Sequence, residues 1–283
     1  MAIDNFIPAV WSNQLLVRLH NALVFGQPSV VNTDYEGEIR GQGSSVKIHG
    51  MGPVTMSDYT KNVDLSAAEA LTGTETILTI DKARSFNFEI DDIDKAQQVP
   101  KLMAGAMQEA AYAVANDADA YLASLYASGT ADGGNLGTTA SPLTPTSTTA
   151  YEMIVDANRY LTEANCPMDG RFIIVPPWFH GFMQKDARFV EYSDTAHAVL
   201  LNGVIGQAAG MTILISNNVS NTAGTKYRCM FGHPSAWTFA SQIESVEAYR
   251  PPLRFADAVK GLHVFGASVV RPTILGTMTL NSA

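Results

Sequence analysis

Hydrophobic and polar positions change period several times along the chain, and each change marks an element. Near the N-terminus Trp11, Leu15, Leu19 and Leu23 recur at every fourth residue, with Asn13, Arg18 and His20 off that line. This predicts a short amphipathic helix that ends at Gly26–Gln27–Pro28. Such a stripe needs a surface to lie on, either its own domain or a neighbour's, which makes Trp11, Leu15, Leu19 and Leu23 candidate contacts. From Val30 to Ile90 the period drops to two. Ser44, Val46 and Ile48 alternate with Ser45, Lys47 and His49, and Thr76–Ile80 and Ser85–Ile90 behave alike, which predicts half-buried strands. The polar, glycine-bearing stretch Gly50–Gly73 is too long for a tight turn and reads as an extended hairpin arm or a long loop.

The strongest helical signal follows. Leu102, Met103, Ala106, Met107, Ala110, Val114, Ala118, Tyr121, Leu122 and Leu125 keep the helical period, and Lys101, Gln108, Glu109, Asn116, Asp117 and Asp119 fill most other positions. Pro100 suits a first turn and Gly129 a stop. At 1.5 Å per residue such a helix is about 40 Å long. Its alanine-rich stripe lets backbones approach closely, as in a structural spine. Ala127–Thr149 is small and polar and reads as a linker. Thr149–Ala150–Tyr151–Glu152 has the form of a capping box before a helix to about Asn165, which Cys166–Pro167 closes. A buried strand at Arg171–Val175, a short helix from Pro176–Pro177 through Met183, and a strand at Met211–Ile215 come next. Strand-like runs return at Ser241–Val246 and Leu262–Val270, and no internal repeat is visible.

Composition narrows the picture. Charged residues make up only 16% of the 283 residues, against about 25% in a typical soluble domain. A surface that spends so little charge on water suits extensive contact with other subunits. The net charge of −9, with no Lys/Arg run, argues against a grip on nucleic acid through its phosphates. The densest charge cluster, Glu89 to Asp94, reads as a solvated turn leading into a helix. Cys166 and Cys229 lie far apart in the sequence and read as reduced, partly buried thiols. Neither a signal peptide nor a membrane-spanning run of apolar residues is visible.

Catalytic spacings are missing. There is no HExxH, GxSxG, P-loop or Cys/His zinc pattern. The histidines, His20, His49, His180, His197, His233 and His263, are scattered and read as surface or satisfied core residues. Gly203, Gly206 and Gly210 precede a strand, where a dinucleotide site requires a helix, so they read as turn glycines. Asp257 and Lys260 are spaced to pair with each other. Met103 and Met107 sit on the helical stripe and read as core. No cofactor or metal is expected; the enzyme reading that competes places a hydrolase or binding site near His180 or Asp186.

The order of elements and several strings resemble the major capsid proteins of tailed bacteriophages with the Hong Kong 97-type fold. The strings are Gly203–Val204–Ile205–Gly206 through Gly210, Met211–Thr212–Ile213–Leu214–Ile215–Ser216–Asn217, Glu247–Ala248–Tyr249–Arg250, Phe255–Ala256–Asp257, Lys260–Gly261 and Val269–Val270–Arg271–Pro272. The resemblance implies an α+β capsid fold. An N-terminal arm (1–36) and an extended β-hairpin, the E-loop region (37–90), precede a peripheral domain with a spine helix (91–148). An α/β axial domain (149–238) and the closing strands of both domains (239–283) complete it. It further implies hexamers and pentamers of an icosahedral shell around double-stranded DNA, held without sequence-specific binding and without a membrane. Scaffolding protein, portal and a decoration or cement protein are the implied partners, with assembly in the host bacterial cytoplasm and residence in the virion. Some members crosslink through a lysine and an asparagine. Lys61 and Asn62 lie in the E-loop region, but neither position matches, so that chemistry does not carry over. The family's long charged scaffolding segment is absent, so scaffolding is expected from a separate protein unless the chain begins at a mature end. An encapsulin, which shares the fold but encloses cargo enzymes, is the alternative reading.

Overall fold

The computed structural model describes residues 24–35, 43–51, 54–62, 64, 70, 73–91, 102–129, 135–186 and 206–282. The predicted contacts Trp11, Leu15, Leu19 and Leu23 lie outside the described residues. In chain order the elements begin with strands β1 (Ser45–Met51), β2 (Gly73–Thr79) and β3 (Lys82–Asp91), then helix α1 (Leu102–Ser124), the single turn α2 (Tyr126–Gly129) and β4 (Asn135–Leu136). They continue with α3 (Ala150–Glu163), β5 (Phe172–Val175), α4 (Pro177–Gln184), β6 (Gln207–Ala208), β7 (Met211–Ile215) and β8 (Asn221–Thr222). The chain closes with β9 (Lys226–Gly232), β10 (Trp237–Tyr249), β11 (Ala256–Val269) and β12 (Leu275–Asn281).

The two-residue period of the first half folds as expected. β1 and β2 pair antiparallel from Ser45↔Thr79 to Met51↔Gly73 as an isolated ribbon. Val46, Ile48, Leu78 and Ile80 form its buried face, while Lys47 and Glu75 meet on the exposed face at 2.6 Å. β3 belongs to another sheet, ordered β10-β11-β3 and antiparallel throughout.

Alternation along β11 divides that sheet into two faces. Val259, Gly261, His263 and Phe265 alternate toward α1: Val259 clusters with Ala111, Phe86, Phe88 and Met107, and Phe265 stacks edge-on to Tyr121 at 5.4 Å. Val264 and Ala240 turn the other way, onto the ribbon residues Val46, Ile48, Leu78 and Ile80. The sheet is thus a middle layer. Gly266 is where the ribbon crosses β11, because a Cβ there would overlap the Thr79 carbonyl oxygen.

A larger mixed sheet runs β4-β12-β9-β5-β7-β6, with β8 beside β9. Its strand β5 is buried at every residue, which explains why Phe172–Val175 is an unbroken apolar run and not an alternating one. Ile154, Ala157 and Leu161 of α3 and Phe179 and Met183 of α4 join the same core. β6 returns into β7 through Ala209 (φ 50°) and Gly210 (φ 77°), so these residues do form a tight turn. Gly203 lies outside the described residues.

Several expectations need correction. The long helix stops at Ser124, and Leu125 N–H bonds back to Leu122 O before α2 begins. At 23 residues α1 is about 35 Å long, not 40. Its buried stripe includes Ala111, Ala115 and Asp119, which lay off the predicted one. The capping box does not form: Thr149 is already helical in backbone (φ −105°, ψ −12°), and its hydroxyl accepts from Thr146 N–H at 3.0 Å. The chain begins turning at Thr146, one turn earlier, where Ala150 N–H bonds Thr146 O. α3 ends where expected, through Asn165 in the left-handed region (φ 56°), with Asn165 N–H on Thr162 O and Cys166 N–H on Leu161 O. The supposed linker contains α2 and β4, and Leu143 bridges Leu280, so backbone pairing ties it into the larger sheet. Glu89 and Asp91 are not in a turn but end β3, opposite Ala258 and Ala256. Asp257 and Lys260 sit three apart on a strand and so face opposite ways. Lys260 instead meets Glu247 across the β10–β11 pair at 2.8 Å.

Candidate assembly surfaces

Two protruding tips expose large apolar side chains. One is the segment between the ribbon strands, where Val54, Met56 and Tyr59 are exposed, Met56 by 90%. Asp58, Lys61 and Asp64 accompany them, all exposed, and Asn62 takes the left-handed conformation (φ 64°) that its short polar side chain tolerates. The other is the tip of the β10–β11 hairpin, Arg250–Pro251–Pro252–Leu253–Arg254–Phe255, where Leu253 is 95% and Phe255 82% exposed.

The second tip is held rigidly. The prolines fix their own φ angles. Arg254 donates its backbone N–H to Pro251 O at 3.4 Å, and its guanidinium pairs with Glu89 of β3. Behind the tip, Tyr249 and Asn87 exchange hydrogen bonds at 3.1 and 3.2 Å, and the Lys260 ammonium lies over the Tyr249 ring. Lone exposed apolar residues are ordinary, whereas groups of them are candidate contact surfaces. The ribbon-tip group carries Asp58, Lys61 and Asp64 and the hairpin group Arg250 and Arg254, so each apolar group is bordered by charged side chains.

The root of the N-terminal segment is anchored in the core. Phe25, Val30 and Val31 are fully buried. The Trp237 ring nitrogen donates to Val30 O at 2.7 Å, and Asn32 bridges Thr238 at the start of β10. Asp119 accepts from the N–H groups of Val24 at 2.8 Å and Phe25 at 3.2 Å. Burial pushes its carboxyl up to about 6, against the opposing pull of those N–H donors.

A second buried polar hub holds the end of α3. The Arg171 guanidinium is buried and donates to Pro167 O (2.8 Å), Asn158 O (3.2 Å), Thr162 Oγ1 (2.8 Å), Cys166 O (2.7 Å) and Asn158 Oδ1. It ties the carbonyls of Cys166 and Pro167, just beyond the helix, to Asn158 and Thr162 near its C-terminal end. Arg171 had read only as the first residue of a strand.

The histidines divide. The His233 ring nitrogen accepts from Ser235 N–H, capping a short 3-10 turn. His180 lies on the buried side of α4 and His263 between the three-stranded sheet and α1, and burial lowers the pKa of both. Among the described residues, His180 Nε2 and both His263 nitrogens find no hydrogen-bond partner, so neither ring is the satisfied core residue expected. Cys166 and Cys229 are free and buried, and burial raises both thiols. Among the described residues no group of His, Cys, Asp and Glu could hold a metal ion.

Asp119 and the hairpin tip were missed in the sequence. The partners of Asp119 are backbone groups 94 and 95 positions away, which no local pattern signals. The tip did leave a signal, two large apolar residues inside an Arg/Pro turn where polar residues are usual.

The sequence matches the family described as phage capsid protein over residues 73–275. No curated protein sequence gives a significant match. A solved structure from Mycobacterium phage Che8 is 31% identical, with a TM-score of 0.73 over 90% of this chain and 90% of that one. The capsid structure of the cyanophage P-SCSP1u is 16% identical, with a TM-score of 0.73 over 93% of this chain and 89% of that one. A virus-like particle from Pyrococcus furiosus shares the fold at 11% identity and a TM-score of 0.54, over 96% of this chain and 98% of that one.

Proposed function

Since the chain belongs to the phage capsid protein family, we propose that it builds the icosahedral shell of a tailed phage from hexamers and pentamers, around double-stranded DNA. Its role is structural. One observation supports this most directly: the chain presents two groups of exposed large apolar side chains on different elements, Val54, Met56 and Tyr59 between the ribbon strands and Leu253 and Phe255 at the hairpin tip. A contact between unlike surfaces of successive copies closes into rings when the rotation per copy divides the circle. In this reading the β1–β2 ribbon and the residues around it (37–90) are the E-loop, which laps onto the hairpin tip of a neighbour. Helix α1 is the spine of the peripheral domain, and residues 149–238 form the axial domain around the five- and six-fold axes. Residues 1–36 reach an adjacent copy through Trp11, Leu15, Leu19 and Leu23.

The acidic balance fits a container better than a DNA-binding surface. Packaged DNA brings its own counterions, and a strongly basic lining would trap the incoming strand. Scaffolding protein, portal and a cement protein are the partners this role calls for, in the virion and, during assembly, in the host cytoplasm.

Negative-stain electron microscopy of the purified chain, alone and with its scaffolding protein, tests the reading. Closed shells, tubes or capsomers are expected. A uniform monomer at high concentration in both samples would overturn it.

A further inference from the structure

His263 is 2% exposed, and among the described residues neither of its ring nitrogens has a hydrogen-bond partner. A buried imidazole normally satisfies at least one nitrogen, so this one calls for an explanation. It stands on the α1-facing side of β11, its ring 5.0 Å from that of Phe265 and inclined to it by 31°. Across the β11–β3 pair its register partner is Arg84, and across β10–β11 it is Ile243. Arg84 reaches over to α1 and pairs with Asp117, Nε to Oδ2, at 2.8 Å. One turn further along α1, Tyr121 packs on Phe265, with Lys82 of β3 over its ring and Asp81 beside Lys82. Asp119, also on α1, is bound to the N–H groups of Val24 and Phe25. The charged groups around His263 are therefore Arg84 and Asp117, already engaged with each other, with Lys82 and Asp81 beyond Phe265.

We propose that His263 is a proton-operated release between α1 and the three-stranded sheet. The neutral ring packs as an aromatic filler between Phe265 and the underside of α1. A proton taken from solvent gives it a charge that this site cannot solvate. Arg84, in register beside it, holds the anion within reach, Asp117, and the pull that Asp117 still exerts on the ring is smaller than the cost of burying its charge. The imidazolium is accommodated only when α1 lifts far enough for water to enter or for Asp117 to change partners. Burial holds the ring at about 4, against an ordinary value near 6.5. A group depressed in this way supports the packed state fully above 6.5 and loses that support as the pH falls toward 4.

Hydrogen exchange of the full chain, corrected for intrinsic rates and read over α1 at pH 7.0, 6.0, 5.0 and 4.5, tests the release. His263→Phe keeps an aromatic filler and cannot titrate. The ratio of wild-type to variant opening should rise about tenfold per pH unit below 6.5. Comparing the two cancels the opposing titration of Asp119. Equal pH dependence in both proteins would overturn the proposal. If the variant does not fold, deuterium uptake at the C2 carbon of His263 in the wild-type chain reports its titration directly. A midpoint well below 6.5, with uptake that accelerates as α1 opens, supports the release; a midpoint at the ordinary value overturns it.

Discussion

The Asp119 carboxylate receives the backbone N–H of Val24 at 2.8 Å and that of Phe25 at 3.2 Å, so the C-terminal part of the long helix fastens the start of the described chain. The same bonds bring a carboxylate into the core, where burial raises it to about 6 from an ordinary 3.8. The unfolded chain binds fewer protons than the folded one between those values. The group's contribution is thus fully present below 3.8 and is lost as the pH rises through 6. The full swing is about 3 kcal/mol.

Asp119→Ala leaves the two N–H groups without acceptors. It should lower stability at neutral pH by about 2 kcal/mol. The deficit against the wild type should grow on going from pH 7.5 to 4.5, because only the wild type gains from protonation. Thermal melts of both proteins at the two pH values check this; a deficit that shrinks in acid would refute it.

Gly266→Ala places a methyl group against the Thr79 carbonyl, and neither β11 nor the ribbon is free to give. The expected loss is about 3 kcal/mol. Gly206→Ala, where a Cβ meets nothing within 4 Å, should change stability by less than about 0.5 kcal/mol. Urea denaturation of the two variants side by side separates a packing effect from a general intolerance of substitution.

Arg171→Lys keeps the charge and loses the planar fork. An ammonium has three donors and cannot reach the carbonyls of Pro167, Asn158 and Cys166 together with the Thr162 hydroxyl. The substitution should cost about 2–4 kcal/mol, seen as a lower urea midpoint with an unchanged slope. A neutral outcome would mean that water replaces the guanidinium freely.

Leu253→Ser with Phe255→Ser alters only an exposed tip. The melting temperature of the unassembled chain should stay within about 2 °C, since surface changes of this kind are within about 0.5 kcal/mol. Assembly should be reduced at least tenfold in light scattering if this tip is a contact between copies. Unimpaired assembly would remove the tip from the proposed interface.

Much of the fold was legible because it rests on periodicity. The ribbon, β3, α1, α3 and β5 follow from residues that repeat at two or about 3.6 and that must hide one face. The failures fall where the backbone finds a partner that the local sequence does not announce. Asn135–Leu136 became a strand because β12 offered an open edge to pair with, and Thr149 lost its capping role because the chain had begun to turn at Thr146. Lys260 pairs with Glu247 and not Asp257, because a strand turns residues three apart to opposite faces.

Residue order alone determined the types of the strongly periodic elements, the low charge content and the resemblance to capsid proteins, since each depends on neighbours a few positions away. Tertiary structure decided that Asp119 holds residues 24 and 25, that His263 is sealed without a partner among the described residues, and that Leu253 and Phe255 stand clear of the core. The reason is physical. Burial and hydrogen-bond satisfaction belong to the environment a folded chain builds around a side chain, and that environment comes from segments about a hundred positions away or more.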